Sequence, residues 1–308
     1  MSASAPATKK PIIAAPRPLS RAEKIFILSV LGPALIHFTI FTITPVTLSL
    51  ILSFSEWQLL GTPEFVGLRN YIELFHDETF RIGMKNTFLY AIMYVPPMLI
   101  VPLGLAMLIN RPGIMPQVFR SIYFLPVVTS FVVFALIFKW IFSPEPNSLA
   151  NQFIQLFGLP AQSWLANENQ ALPLLAFLGI LKGAAWNMIY FIAGLQGIPD
   201  TFYEAARIDG ANRRQVFRNV TLPMLRPTLY FVSVLTTIGA FQVFDSAFLL
   251  TQGGPNRATT TIVYYVYQAG FEQFRMGYAS ASAYVLLVLV FVVTYIQKRW
   301  LGKPADWY

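Results

Sequence analysis

Long apolar runs follow one another through this chain, and they dictate what it can fold into. The first extends from Ile25 to about Phe54. That is too long for the core of a signal peptide, and about 20 apolar residues suffice to cross a bilayer. Five more follow, at about Gly83 to Ile109, Ser121 to Phe142, Ala171 to Leu195, Thr228 to Leu250 and Tyr278 to Gln297. Inside hydrocarbon, backbone N–H and C=O groups must pair within the protein, and a helix achieves this within one segment. The expectation is therefore an all-α, polytopic membrane protein with six transmembrane helices. Pro33, Pro45, Pro96, Pro97 and Pro102 predict kinks. Composition agrees: only 12% of the residues are charged and mean hydropathy is +0.56, whereas soluble domains carry about 25% charged residues.

The charges give the orientation. Six spans place both termini and the second and fourth loops on one side. That side holds fifteen Lys and Arg residues, while the other holds only Arg69, Arg81, Arg257 and Arg275. Cytoplasmic loops carry the excess of Lys and Arg, so both termini are expected in the cytoplasm. The net charge of +8 thus reads as topology rather than as affinity for nucleic acid. Residues 1–24, rich in Ala, Ser and Pro, read as a tail disordered in part.

One cytoplasmic loop is unusually structured, Gln196 to Pro227. Thr201 with Glu204 forms a capping-box pattern, which predicts a short helix starting at Thr201. Tyr203, Ala205 and Ala206 give that helix an aromatic and small-residue surface. Gly210 supplies the left-handed residue that ends helices. Asn212 with Gln215 predicts a second short helix to about Val220, and Leu222-Pro223 and Pro227 launch the next span. Such a loop is either a docking element for another protein or a simple connector.

Glu204-Ala-Ala, Asp209-Gly-Ala211, Phe217 and Leu222-Pro223 resemble the "EAA" loop of ABC importer permeases. The surrounding residues resemble the sugar-uptake, maltose-permease branch. Ser53-Phe54, Phe65 to Tyr71, Asn86-Thr87, Phe124-Leu125-Pro126 and Thr251-Gln-Gly-Gly-Pro255 look like landmarks of that branch. The resemblance implies the type I importer permease fold, alternating access, and a bacterial inner-membrane location. It also implies several partners: a second permease subunit, two cytoplasmic ATPase subunits and an extracytoplasmic binding protein. On this reading Tyr203, Glu204, Ala205, Ala206, Asp209 and Gly210 couple to the ATPase. The implied division is a tail at 1–24, a first helix and outer loop at 25–82, a permease domain at 83–300 and a tail at 301–308.

Other chemistry is poorly supplied. No GxxxxGK[ST] phosphate loop, HExxH or GxSxG occurs, there is no cysteine, and His37 and His76 are the only histidines. The chain is therefore expected to be no enzyme, to need neither cofactor nor metal, and to take energy from a partner. Polar residues within spans are costly and so become functional candidates. Trp186, Asn187, Thr236, Gln242 and Asp245 suit a hydroxyl-rich cargo, which wants amide, hydroxyl and aromatic partners. The competing reading is helix packing through polar side chains. Lys182 can reach outward toward Asp245, which predicts a contact between them. Trp57, Trp164 and Tyr264 to Tyr267 read as membrane-interface aromatics. The alternative function is an ion-driven secondary transporter, which would want midplane carboxylates where only Asp245 is available.

Overall fold

The computed structural model describes residues 20–110 and 125–302. Most of the N-terminal tail, the basic loop after Asn110 and residues 303–308 lie outside them. Packing divides the chain into two units, Met1–Ser49 and Leu50–Tyr308.

The first unit carries helix α1 (Arg21–Phe38), a π-turn (Thr39–Ile43) and the start of α2 (Thr44–Ser53). Ser20 and Glu23 close a capping box on α1, which satisfies two orphan N–H groups at its start. Pro45 cannot donate to the carbonyl four residues back, and the widened turn sits just before it. No residue of α1 is buried within the chain, so its apolar surface is left for lipid or for another protein.

The second unit opens with a hairpin, β1 (Ser55–Gln58) against β2 (Leu60–Phe65), with Ser55 opposite Phe65. Helix α3 (Arg69–His76) follows. Buried Asn70 donates to the carbonyls of Ser53 at 3.0 Å and Ser55 at 2.9 Å. It thereby accepts the duty of the ladder where helix gives way to strand. Next comes α4 (Glu78–Ile109), whose N-cap Asp77 accepts from the backbone N–H groups of Thr79 and Phe80. Further on lie α5 (Phe131–Ile141), α6 (Leu149–Gln155) and α7 (Glu168–Gln196). The basic loop holds α8 (Asp200–Ile208), α9 (Arg213–Val216) and α10 (Leu222–Met224). Then α11 (Arg226–Phe241), α12 (Ile262–Tyr267) and α13 (Met276–Leu301) complete the described chain.

The helix Arg21–Ser53 together with α4, α7 and α13 are long and apolar enough to cross a membrane. The pair Arg213–Met224 and Arg226–Phe241, bent by 66°, counts as one more if taken as a single span. Within the third expected span, residues 125–128 are helical, a break follows at 129–130, and eleven-residue α5 continues beyond it; residues 121–124 are outside the described set. The described residues therefore give four or five spans, and six stays an expectation.

The fifth expected span also ends early. Its helix stops at Phe241 rather than running to Leu250. Gln242, Asp245 and Ser246 cluster at the interruption, and a continuous helix would have carried Gln242 and Asp245 deeper into an apolar span. Tyr264 and Tyr265 are another correction. Both are buried in the core instead of sitting at a membrane interface.

Helices α4 and α7 pack along each other and carry two apolar clusters. One gathers Phe80, Leu175, Leu178 and Ile262; the other gathers Met188, Phe191, Leu225 and Val232. Between helices in lipid, close van der Waals contact supplies the cohesion. The loop 251–261 is fixed to α4 by polar pins. Asn86 donates to the carbonyls of Arg257 at 2.9 Å and Thr260 at 3.0 Å, and Thr87 Oγ1 accepts from the Ile262 N–H at 3.0 Å. The free oxygen of Asp77, Oδ2, accepts from the hydroxyls of Tyr265 at 2.7 Å and Tyr278 at 3.2 Å.

Removing Asn86 takes from the Thr260 carbonyl the donor it has and leaves the Arg257 carbonyl with the Thr260 N–H alone, so Asn86→Ala should cost about 1–3 kcal/mol. A lowered thermal midpoint of the detergent-purified protein checks this; an unchanged midpoint would mean that loop 251–261 is held elsewhere. Burial works to raise the Asp77 carboxyl, but hydrogen bonds from Tyr265, Phe80, Thr79 and Tyr278 together hold it below its ordinary 3.8. A depressed folded value means its contribution is complete above pH ~4 and is lost as pH falls through that value. Acid titration of stability should therefore be flat from this group down to mildly acidic pH, and Asp77→Asn should remove the part of the acid slope that it causes.

Candidate functional site

Two features stand apart from ordinary packing: the folded basic loop, and a cavity between the helices. In the loop, α8 begins at Asp200 behind Pro199, whose φ of −60° and ψ of 137° suit an N-cap. The expected capping box at Thr201 and Glu204 is absent, because Thr201 already lies inside the helix. Asp200 places its negative charge in the first turn, where the helix dipole favours it. The far end closes as the sequence requires. Gly210 has φ +74°, its N–H donates to the Arg207 carbonyl, and the Ala211 N–H donates to the Ala206 carbonyl. This is the Schellman pattern, and a Cβ at that φ would be strained. Asn212 and Gln215 form the expected capping box on α9.

Helix α8 is held at one point and exposed elsewhere. Tyr203 packs against the cluster containing Phe191 and Leu225, and its hydroxyl accepts from Thr221 Oγ1 at 3.4 Å. Glu204 is exposed and has no polar partner among the described residues. Ile208 is 87% exposed. Beside it runs a groove of about 230 Å³ lined by Phe202, Ala205, Ala206, Asp209, Val220 and Pro223, among others. The six residues singled out from the loop thus divide. Tyr203 anchors the helix, Ala205, Ala206 and Asp209 line the groove, Gly210 ends the helix, and Glu204 is presented outward.

The cavity measures about 300 Å³ and is bounded by α4, α5, α7 and the interruption after α11. Its walls include Tyr94, Lys182, Trp186, Gln242, Asp245 and Ser246. That volume is at the low end of small-molecule sites, ~300–1,000 Å³. Trp186, Gln242 and Asp245 therefore meet at one place. Asn187 and Thr236 do not line it. They are buried, with Asn187 Nδ2 donating to Thr236 Oγ1 at 2.9 Å and to the Met98 carbonyl at 3.2 Å. Pro102, four residues after Met98, has no N–H to give that carbonyl, and Asn187 supplies the missing donor.

Lys182 does not pair with Asp245. Its ammonium donates to the carbonyls of Pro126 and Thr129, each at 2.8 Å, and sits over the rings of Phe131 and Phe134 at 5.5 and 5.2 Å. The third span is interrupted at 129–130, which frees carbonyls at the end of its first segment. A cation there meets both unpaired acceptors and the negative end of the dipole. Asp245 forms no hydrogen bond or ion pair among the described residues, and it lies at the start of a new helical turn, residues 245–251.

The profile of one family, described as "Binding-protein-dependent transport system inner membrane component", matches residues 86–303. The chain belongs to this family. The permease is 36% identical over 274 residues to the arabinooligosaccharides transport system permease protein AraP of Bacillus subtilis (strain 168), covering 88% of this chain and 87% of the relative. It is 35% identical over 281 residues to the probable ABC transporter permease protein YurN of the same organism, covering 90% and 96%. A crystal structure of a bacterial alginate ABC transporter, in complex with an alginate pentasaccharide-bound periplasmic protein, contains a chain that matches with a TM-score of 0.78 at 25% identity. The match covers 90% of this chain and 94% of that one. The permease is thus a multi-pass membrane subunit with the ABC importer permease fold, akin to sugar permeases.

Several cavity residues escaped the sequence reading, although a signal for them exists. Gly179 and Gly183 lie four apart on α7, facing Tyr90 and Tyr94, four apart on α4. A Cβ on Gly179 would come within 2.6 Å of the Tyr90 hydroxyl oxygen. Small residues at this spacing mark close helix approach in membranes. Loss of the Lys182 cap should loosen the permease where loss of Asp245 should not. Lys182→Met is expected to lower the thermal midpoint of the purified permease, and Asp245→Asn to leave it within error. Equal losses from the two would restore the ion pair.

Proposed function

We propose that this permease imports a sugar or oligosaccharide through ATP-driven alternating access, with α8 docking on a separate cytoplasmic ATPase. The observation that carries the docking reading is the state of α8. An exposed helix, stopped by Gly210 and bordered by an apolar groove, offers a neighbouring protein both a knob and a slot. Glu204 and Ile208 extend outward from it without partners of their own. The chain has no phosphate-binding loop, so the work of transport comes from that neighbour.

In this reading Tyr203 transmits movement of α8 into the helices, because it joins the loop to the cluster at the adjoining ends of α4, α7 and α11. The 66° bend ahead of α11 places a stiff corner between the docked helix and the cavity wall. Trp186, Gln242 and Asp245 then offer the passing sugar an aromatic face, an amide and a carboxylate. The names of its relatives support a saccharide as cargo. A second permease subunit, two ATPase subunits and an extracytoplasmic binding protein complete the assembly. On this proposal both termini lie on the ATPase side of a bacterial inner membrane, six spans cross it, and the chain divides at residues 24, 82 and 300.

Gly210→Pro removes the N–H given to Arg207 and forbids the positive φ, and Glu204→Lys reverses the charge that α8 presents. Each variant, co-expressed with its partner subunits, should insert and assemble normally yet lose at least about tenfold in substrate-stimulated ATPase activity and in uptake, equivalent to ~1.4 kcal/mol of coupling. Wild-type uptake by both would overturn the docking role.

A further inference from the structure

Kinship leaves the charge of the cargo open, since the relatives' names include arabinooligosaccharides and the acidic polysaccharide alginate. The cavity itself is more specific. Two ionisable side chains reach it, and they are not equivalent. The Lys182 ammonium is committed. Two of its N–H bonds end on the carbonyls of Pro126 and Thr129, whose dipoles turn their negative ends toward it, and two phenyl faces cover it. The Asp245 carboxylate is uncommitted. It is exposed and has no partner among the described residues, although it borders the same space.

A second polar group borders the same space. The Ser246 hydroxyl is buried at 3% exposure, with the Tyr90 hydroxyl as its hydrogen-bonding neighbour. A carboxylate, a hydroxyl, the Gln242 amide and the Trp186 indole face together form a set that hydroxyl groups can satisfy. Vicinal hydroxyls donate to carboxylate oxygens without bringing charge. An anionic cargo instead meets a like charge that no cation pairs with among the described residues.

We propose that Asp245 makes this cavity a filter against anions, passing neutral hydroxyl-rich or amino sugars and rejecting uronates and sugar phosphates. The proposal rests on the cavity being the sugar path. It assigns Asp245 as a specificity-determining residue and Lys182 as a positioning residue for the cavity wall.

This chain has no cysteine, so Val243→Cys, on the cavity wall but outside the proposed sugar-binding set, is its single thiol, and the partner subunits are used in cysteine-free form. In membrane vesicles carrying the complete transporter, modification of the introduced thiol would be timed with cationic trimethylammonium-ethyl and anionic sulfonatoethyl methanethiosulfonate. Rates would be normalised to those with a small free thiol. The cationic reagent should be favoured by about tenfold or more, as a nearby unpaired charge of opposite sign requires. Asp245→Asn should bring the ratio near unity, and Asp245→Glu should restore it. The same reporter would be challenged with maltotriose, arabinotriose and trigalacturonate. Protection by a neutral trisaccharide but not by trigalacturonate is expected, with trigalacturonate beginning to protect in the Asp245→Asn background. A ratio unmoved by Asp245→Asn, or equal protection by trigalacturonate in the parent, overturns the filter. A ratio that behaves as expected while no saccharide protects instead overturns the sugar path and leaves the charge assignment standing.

Discussion

The structure depends on how it treats backbone groups set free where a membrane helix is interrupted. Lipid offers no hydrogen bonds, so each break must be repaired by a side chain from elsewhere in the protein. Lys182 repairs the third span, Asn187 supplies the donor that Pro102 lacks, and Asn70 holds the passage from helix to hairpin. Asn86 and Thr87 do the same for the loop entering α12. All but the lysine are buried amides or hydroxyls, and every one of these side chains reaches backbone. This explains why polar residues occur inside apolar runs without forming a catalytic cluster.

These repairs also decide where the cavity can be. A continuous fifth span would have faced Gln242 and Asp245 along its length, and a continuous third span would have had no carbonyls for Lys182. Both interruptions border the same space. The lysine therefore acts as a brace on one wall, and the aspartate on the opposite wall is left free. An ion pair between them would have filled the cavity and neutralised it. The arrangement found keeps it open and leaves one charge unspent.

The parts of this architecture that sequence reveals are those written in local pattern. Gly210 reads as a helix stop of positive φ, Asn212 with Gln215 reads as a cap, and four of the long apolar runs appear as helices long enough to cross a membrane. What local pattern cannot carry is partnership across the chain. Asn187 in an apolar run reads equally as cargo ligand or as packing residue, and only the neighbouring Met98 carbonyl, 89 residues away, decides its surroundings. The break after Phe241 is invisible for the same reason, since Val243, Phe244 and Ala247 continue the apolar character through it. Thr201 and Glu204 show the converse error: a good capping pattern lost to Pro199, which sets an extended N-cap two residues earlier.

The folded basic loop and the cavity are joined by few elements. Tyr203 touches the cluster that contains Met188 and Phe191, and both belong to the same helix as Lys182 and Trp186. From Trp186 to Phe191 is less than two turns of helix. A movement of α8 thus reaches the cavity through a rigid segment without a flexible link. Gly194, one turn beyond Phe191, has no room for a side chain, since an added Cβ would lie 2.5 Å from Thr228 Oγ1 on α11. Helices in such close contact cannot slide independently. Under the proposed docking, force applied at α8 would tilt α7 and α11 together, and those two helices border the space that holds Trp186, Gln242 and Asp245.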